Sequence, residues 1–185
     1  LITGILFLLS YLIFGLSVKT IIAITLSSIL VITMISDFLF YIIEDKVLII
    51  GGILLIIELF INHGYIDNTF DVVKAFKGLG YNILDGIIAF GIMYLIKLLG
   101  DFLFKRESMG GGDIKLMFIF GLTIGIINSI VSIFLASIIA LPIAIITLKL
   151  KSTHEIPFGP FLLIALTFIY FSKLTTPIIL TWLNL

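Results

Sequence analysis

Cysteine is absent from the 185 residues, which excludes disulfides, thiolate metal sites and cysteine nucleophiles. Histidine is nearly absent as well. His63 and His154 fall on different loops, whereas even a catalytic zinc ion needs about three protein ligands. No metal site and no cofactor is therefore expected. Charge is scarce: 12% of residues are Asp, Glu, Lys or Arg and 61% are hydrophobic, against roughly a quarter and about half in soluble domains. Eleven basic and eleven acidic residues cancel, so the chain has neither the basic patch of a nucleic-acid binder nor a net field to draw a charged partner. No nucleic acid is expected as a partner. The solvent implied for most side chains is membrane lipid.

What the chain has in quantity is long apolar runs. A helix crossing the hydrocarbon core needs about 20 apolar residues. Runs at Leu1–Leu16, Ile21–Ile43, Val47–Ile61, Ile83–Phe104, Ile114–Ile127, Ser129–Leu148 and Phe158–Phe171 read as helices. The expectation is an all-α, polytopic integral membrane protein with about seven transmembrane helices, in a range of six to eight. The third and fifth runs are short, the boundary between the fifth and sixth is soft, and the tail Pro177–Leu185 is too short to span. No repeat and no separate soluble stretch occurs, so 1–185 reads as a single transmembrane domain. Leu1 already lies in an apolar run, with no basic segment or small-residue cleavage site before it, so no signal peptide is read and the start looks truncated.

Loops hold most of the charges. Asn62–Tyr81 is the longest and carries His63, Asp67, Asp71, Lys74 and Lys77. Basic residues near helix ends set orientation. Lys46, Lys105, Arg106, Lys115, Lys149 and Lys151 fall on one side and Lys19, Lys74, Lys77 and Lys173 on the other, which puts Glu44–Lys46, Asp101–Asp113 and Lys149–Glu155 in the cytoplasm.

Asp37 interrupts an apolar run. An acid within a span costs roughly 2.5–3.5 kcal/mol on insertion scales and marks a functional position by default. Two plainer readings stand beside that: pairing with Lys97 on a neighbouring helix, or snorkelling to the cytoplasmic edge. Asp113 follows Gly110, Gly111 and Gly112 and precedes an apolar helix, where an acid is also a favoured N-cap. Glycines there also let another backbone approach closely, as a substrate strand requires. In the topology above both acids lie at similar depth on the same side. Two carboxylates in contact in a low-dielectric site share one proton, so one activates water while the other protonates the leaving group. Asp85 reads as a cap of the fourth helix and Glu58 as interfacial. Pro157-Phe158-Gly159-Pro160-Phe161 reads equally as a proline-started helix and as part of a site.

Together these segments resemble the type IV prepilin peptidases, intramembrane aspartyl proteases with a GxGD motif. Glu107-Ser108-Met109-Gly110-Gly111-Gly112-Asp113-Ile114-Lys115-Leu116 is similar to that motif. Ser36-Asp37 with Ile42-Ile43-Glu44-Asp45-Lys46 is similar to the family's first aspartate segment, and Ile156-Pro157-Phe158-Gly159-Pro160-Phe161-Leu162 to a segment near its C-terminal helix. The resemblance implies an eight-helix fold and an aspartic endopeptidase that cuts the basic leader from prepilin, pseudopilin or preflagellin precursors, just before their hydrophobic helix. That work is done at the cytoplasmic face of a prokaryotic inner membrane. It implies Asp37 and Asp113 as the catalytic pair. Gly110, Gly111, Gly112, Lys115, Pro157, Phe158, Gly159 and Pro160 become substrate-binding or loop-shaping residues. Glu44, Asp45 and Glu107 would lie at the cytoplasmic mouth and attract the basic leader. An acid at Glu44, where the bacterial pattern has proline, is closer to the archaeal preflagellin peptidases. The family's first helix and its cysteine-containing cytoplasmic region have no counterpart here, so methyltransferase activity is not expected. A small proton- or cation-coupled transporter using Asp37, Asp85 and Lys97, and a non-catalytic pilus-assembly scaffold, are the alternatives.

The orientation is testable because the chain has no cysteine of its own. Single cysteines at Ser108 and Thr153 should resist a membrane-impermeant thiol reagent in intact cells, while one at Asn68 should react. Labelling of the Ser108 site from outside would invert the topology.

Overall fold

In lipid every backbone amide must find its partner inside the segment, which a helix achieves along its length. The computed structural model describes residues 1–66, 69–105, 107–150 and 157–173, and places six helical runs. These are α1 (Ile2–Phe14), α2 (Val18–Phe40), α3 (Asp45–Gly64), α4 (Val72–Phe104), α5 (Gly111–Leu150) and α6 (Gly159–Phe171). Two short antiparallel strands, β1 (Tyr65–Ile66) and β2 (Thr69–Phe70), link α3 to α4. Four helices, α2 to α5, are long and apolar enough to cross a membrane, and α1 and α6 are shorter apolar helices. The chain is an all-α membrane protein. Asp67, Asn68, Arg106, Lys151, Thr153, His154 and the tail Pro177–Leu185 lie outside the described residues.

The fifth and sixth apolar segments of the sequence meet without an intervening loop in α5, whose helix is broken at Gly125. There φ is 79° and ψ is 170°, a conformation open to glycine and strained for other residues. The break frees carbonyls in an apolar setting, and side chains satisfy them. Asn82 donates to the Leu122 carbonyl at 2.7 Å, Asn128 to that of Ile124 at 2.8 Å, and Ser129 to that of Gly125 at 2.7 Å.

The connection at Asn62–Tyr81 is shorter than the sequence suggests. Helix α3 continues to Gly64, and α4 starts at Val72 rather than Ile83. The Asp71 carboxylate caps α4 by accepting from the Val73 and Lys74 amides at 3.0 and 3.1 Å. The fourth helix is therefore capped by Asp71, and Asp85 sits well inside it. Glu58, read as interfacial, is 9% exposed within the bundle and accepts a 2.6 Å hydrogen bond from the Thr25 hydroxyl.

Helices α2, α3, α4, α5 and α6 close a ring of contacts, with α1 packed on α2. The most enclosed element is α6, with nine of its thirteen residues buried, including Phe161, Leu162, Leu163 and Leu166. At 1.5 Å per residue it is only about 20 Å long, too short to span alone, so it sits as an inner strut between α2 and α5. The closest crossing joins α4 to α5: a Cβ on Gly121 would strike the Asp85 carbonyl group and the Gly86 Cα. Small residues at such crossings let helices in lipid approach closely.

Gly121→Ala should therefore destabilise the protein by about 1–3 kcal/mol, the usual cost of overpacking, read from thermal unfolding in detergent. Gly91→Ala, on α4 with no atom within 4 Å of the added carbon, should be neutral or slightly stabilising. Equal stability of the two variants would rule out the close crossing.

Candidate active site

Three helix ends converge at one end of the bundle: the last turn of α2, the first turn of α5 and the first turn of α6. Helix α2 stops at Phe40 because Tyr41 adopts a left-handed conformation, its amide still bonded to the Asp37 carbonyl at 3.0 Å. The chain then turns sharply, held by the Ser36 hydroxyl donating to the Ile42 carbonyl at 2.7 Å. This lays Ile43 against the start of α5, where a Cβ on Gly112 would come within 2.6 Å of the Ile43 Cβ.

Asp37 and Asp113 are 5% and 7% exposed and face the same point. That point is Gly159, the first residue of α6. A Cβ there would lie 2.8 Å from Asp37 Oδ2 and 3.2 Å from Asp113 Oδ1, so the two oxygens are no further apart than those distances combined. The Gly159 amide donates to the Asp37 carboxylate. Asp113 Oδ1 is buried and has no hydrogen-bond partner among the described residues. An open cleft of about 320 Å³ leads to the pair, lined also by Tyr41, Ile42, Ile43, Gly110, Gly111, Gly112, Pro157 and Phe158. The amino ends of α5 and α6 both point here, and helix N-termini favour negative charge. No group of three or more metal-ligating side chains occurs among the described residues.

Several readings of the sequence resolve on this geometry. Asp113 is not an N-cap but lies in the first turn of α5, two residues after Gly111. Lys97 does not pair with Asp37. It meets Glu107 at 3.0 Å and Asp101 at 3.9 Å. Gly110, Gly111 and Gly112 all line the cleft, and none has a positive φ. Gly112 gives Ile43 room, Gly110 would bring a Cβ to an ordinary 3.8 Å from Asp113 Oδ2, and Gly111 faces open space. Pro160 is buried in the first turn of α6 behind Gly159. Lys115 turns away from the cleft and bonds Asp45 at 2.6 Å. Of the three mouth acids, Asp45 and Glu107 thus already carry cationic partners, and Glu44 is exposed at the start of α3.

Some residues went unnoticed in the sequence. Asp101 accepts from the Ser108 amide and hydroxyl at 2.6 and 2.7 Å, pinning the segment that leads into Gly110–Asp113 to the end of α4. Gly100 makes this possible, since a Cβ there would meet the Ser108 Oγ at 2.6 Å. Tyr41 and Ile43 wall the cleft, and no local pattern marks them.

Fold and site together define a class: an all-α membrane protein carrying two buried carboxylates in an open cleft at the end of its helical bundle. The chain belongs to the type IV leader peptidase family, whose sequence pattern matches residues 24–145, and it is a membrane peptidase. The matched stretch includes both Asp37 and Asp113 and ends before Gly159. No significant similarity to a curated protein or to a solved structure was found.

Gly159→Ala should push the carboxylates apart and lower peptidase activity about 100-fold, the cost of misplacing reacting groups by roughly 1 Å. Gly111→Ala should retain activity within about twofold, because its Cβ meets nothing within 4 Å. Equal activity of both variants would show that the gap at Gly159 does not matter.

Proposed function

We propose that this chain is an intramembrane aspartyl endopeptidase in which Asp37 and Asp113 form the catalytic dyad. In this reading residues 1–185 act as one transmembrane peptidase domain in a prokaryotic inner membrane. The substrates are type IV prepilin-like precursors, pseudopilins and preflagellins included, cut at the cytoplasmic face to release their basic leader. The observation that carries it is the placing of two buried carboxylates on either side of one glycine, at the floor of an open cleft. Two such groups do not both ionise in a low-dielectric site, so the pair holds one proton.

The ionised member takes a proton from water as the oxygen adds to the scissile carbonyl carbon. The protonated member hydrogen-bonds the carbonyl oxygen. Collapse of the tetrahedral intermediate breaks the C–N bond, and a carboxylic proton passes to the departing amine. The Gly159 amide is directed at Asp37, and Asp113 Oδ1 has no hydrogen-bond partner among the described residues. Glu44 is the mouth acid best placed to meet a basic leader, as Asp45 and Glu107 are paired.

A transport relay through Asp37, Asp85 and Lys97 is disfavoured. Asp85 lies against Gly125, its Oδ2 about 3.3 Å from a Cβ built there, and Lys97 is held by Glu107 and Asp101.

Asp37→Asn and Asp113→Asn should each lower cleavage of a purified prepilin by at least about 100-fold, within the range of a lost general acid or base. Insertion and melting temperature should not fall, since an amide is easier to bury in lipid than an acid. The double variant should be no worse than either single one, because the two act as a unit. Asp85→Asn should keep most activity. Substantial cleavage by either Asp37→Asn or Asp113→Asn would end the aspartyl assignment.

A further inference from the structure

A second and larger opening, about 540 Å³, runs along the membrane-facing side of α3, α4 and α5. Its walls are apolar: Ile49, Gly52 and Ile53 of α3, Phe90 of α4 and Phe118 of α5. The charges on its lining are Asp45 and Lys115, bonded to each other at 2.6 Å. A water-soluble ligand would find no hydrogen-bond partner beyond that pair, whereas binding sites for such molecules place a few polar groups among the apolar ones. The lining suits an apolar occupant.

Its position links it to the cleft. Lys115 is two residues beyond Asp113 on α5, and Asp45 two residues beyond Ile43, which walls the cleft. Groove and dyad thus lie on opposite flanks of the same first turn of α5. An apolar helix in the groove would have its end at the depth of the dyad.

Gly52 narrows the choice of occupant. Glycine within a helix is unfavourable relative to alanine, and its usual justification is close contact with a neighbour. Its neighbour in sequence, Gly51, has that justification, as a Cβ there would strike Ile29 at 2.5 Å. At Gly52 nothing lies within 4 Å, so no part of the described chain requires the missing side chain. Gly91 on α4 is equally open but lies outside the groove lining, whereas Gly52 lies within it, where a closely packing second helix would use the dent and a fluid acyl chain would not need it.

We propose that this groove seats the apolar helix of the precursor, with Gly52 as its point of closest approach. The proposal rests on the peptidase reading above. The segment preceding that helix would then cross the strap at Ile43–Asp45 and enter the cleft.

The test compares two substrates: a full precursor in lipid nanodiscs, and a peptide that ends a few residues after the cleavage site. Gly52→Leu, whose Cβ meets nothing within 4 Å and whose branched end would project into the groove, should lower kcat/KM for the full precursor at least about tenfold more than for the peptide. Equal losses, or no loss, would overturn the groove. As a second arm, Ile53→Cys in the uncut Asp113→Asn background is paired with single cysteines stepped along the precursor helix. Disulfides should form at positions recurring every three to four residues, while Phe134→Cys, 72% exposed on α5, should give no such period. Without that period at Ile53 the helix does not lie there. Loss of co-purifying phospholipid in Gly52→Leu with both substrates cut normally would mean a lipid site instead, and overturn the proposal. If the wild-type chain cuts neither substrate, the peptidase reading itself has failed, and the groove assignment falls with it.

Discussion

The site depends on the hydrogen atom that Gly159 carries in place of a side chain. Two carboxylates buried at 5% and 7% exposure can converge only if the third element at the junction contributes no bulk, and the start of α6 contributes a backbone amide instead. The enclosed strut α6 then fixes that amide, because its following residues Pro160, Phe161, Leu162 and Leu163 are all buried. Core packing is thereby converted into carboxylate geometry. Proline next to this glycine has no amide of its own to offer the site, so Gly159 supplies the donor and Pro160 sets the helix direction.

Elsewhere in the bundle several polar groups that would be costly in lipid have a structural partner. The carbonyls released at Gly125 accept from Asn82, Asn128 and Ser129. Ser27 and Ser132 turn their hydroxyls back to carbonyls one turn earlier, at 2.7 and 2.8 Å. The segment entering α5 is tied down through Ser108 and Asp101. These bonds matter less for net stability than for uniqueness, since an unsatisfied polar group in hydrocarbon is what a misfolded alternative would carry.

How much of this was legible depended on range. Asp37 and Asp113 stood out because an acid in an apolar run and an acid after three glycines are local anomalies, and the resemblance joined them. The class of fold followed from hydropathy for the same reason. Hydropathy failed where helices leave the apolar layer. Polar turns such as Lys74–Lys77 continue α4 without any apolar signal, and a cap formed by Asp71 decides the boundary instead. Near Gly125 the chain keeps its apolar character while the backbone departs from the helix, so the boundary between the fifth and sixth runs could be placed only to within a few residues. The pairings of Lys97 with Glu107 and of Lys115 with Asp45 are tertiary facts, and the latter joins residues seventy positions apart. The three-glycine run looked like a flexible turn. In the structure its glycines differ, and only Gly112 meets a close neighbour.

The carboxylates within the helices differ in what surrounds them, and that difference separates structure from chemistry. Glu58 sits about 18 Å from the dyad along the bundle, judged from the twelve-residue step along α2 from its partner Thr25 to Asp37. It is buried against a hydroxyl and is absent from the lining of the cleft. Asp85 has no hydrogen bond or ion pair among the described residues and lies beside the glycine break of α5. Either acid can stay neutral in lipid and serve as a polar contact between helices. Asp37 and Asp113 combine burial with proximity to each other and access to an open cleft. An isolated acid in that place would simply hold its proton. In the proposed reading the pair shares one proton and so holds both a base and an acid at a cleft open to water and an extended peptide. Peptide hydrolysis needs both groups at once, and on the described residues that combination occurs at the junction of α2, α5 and α6.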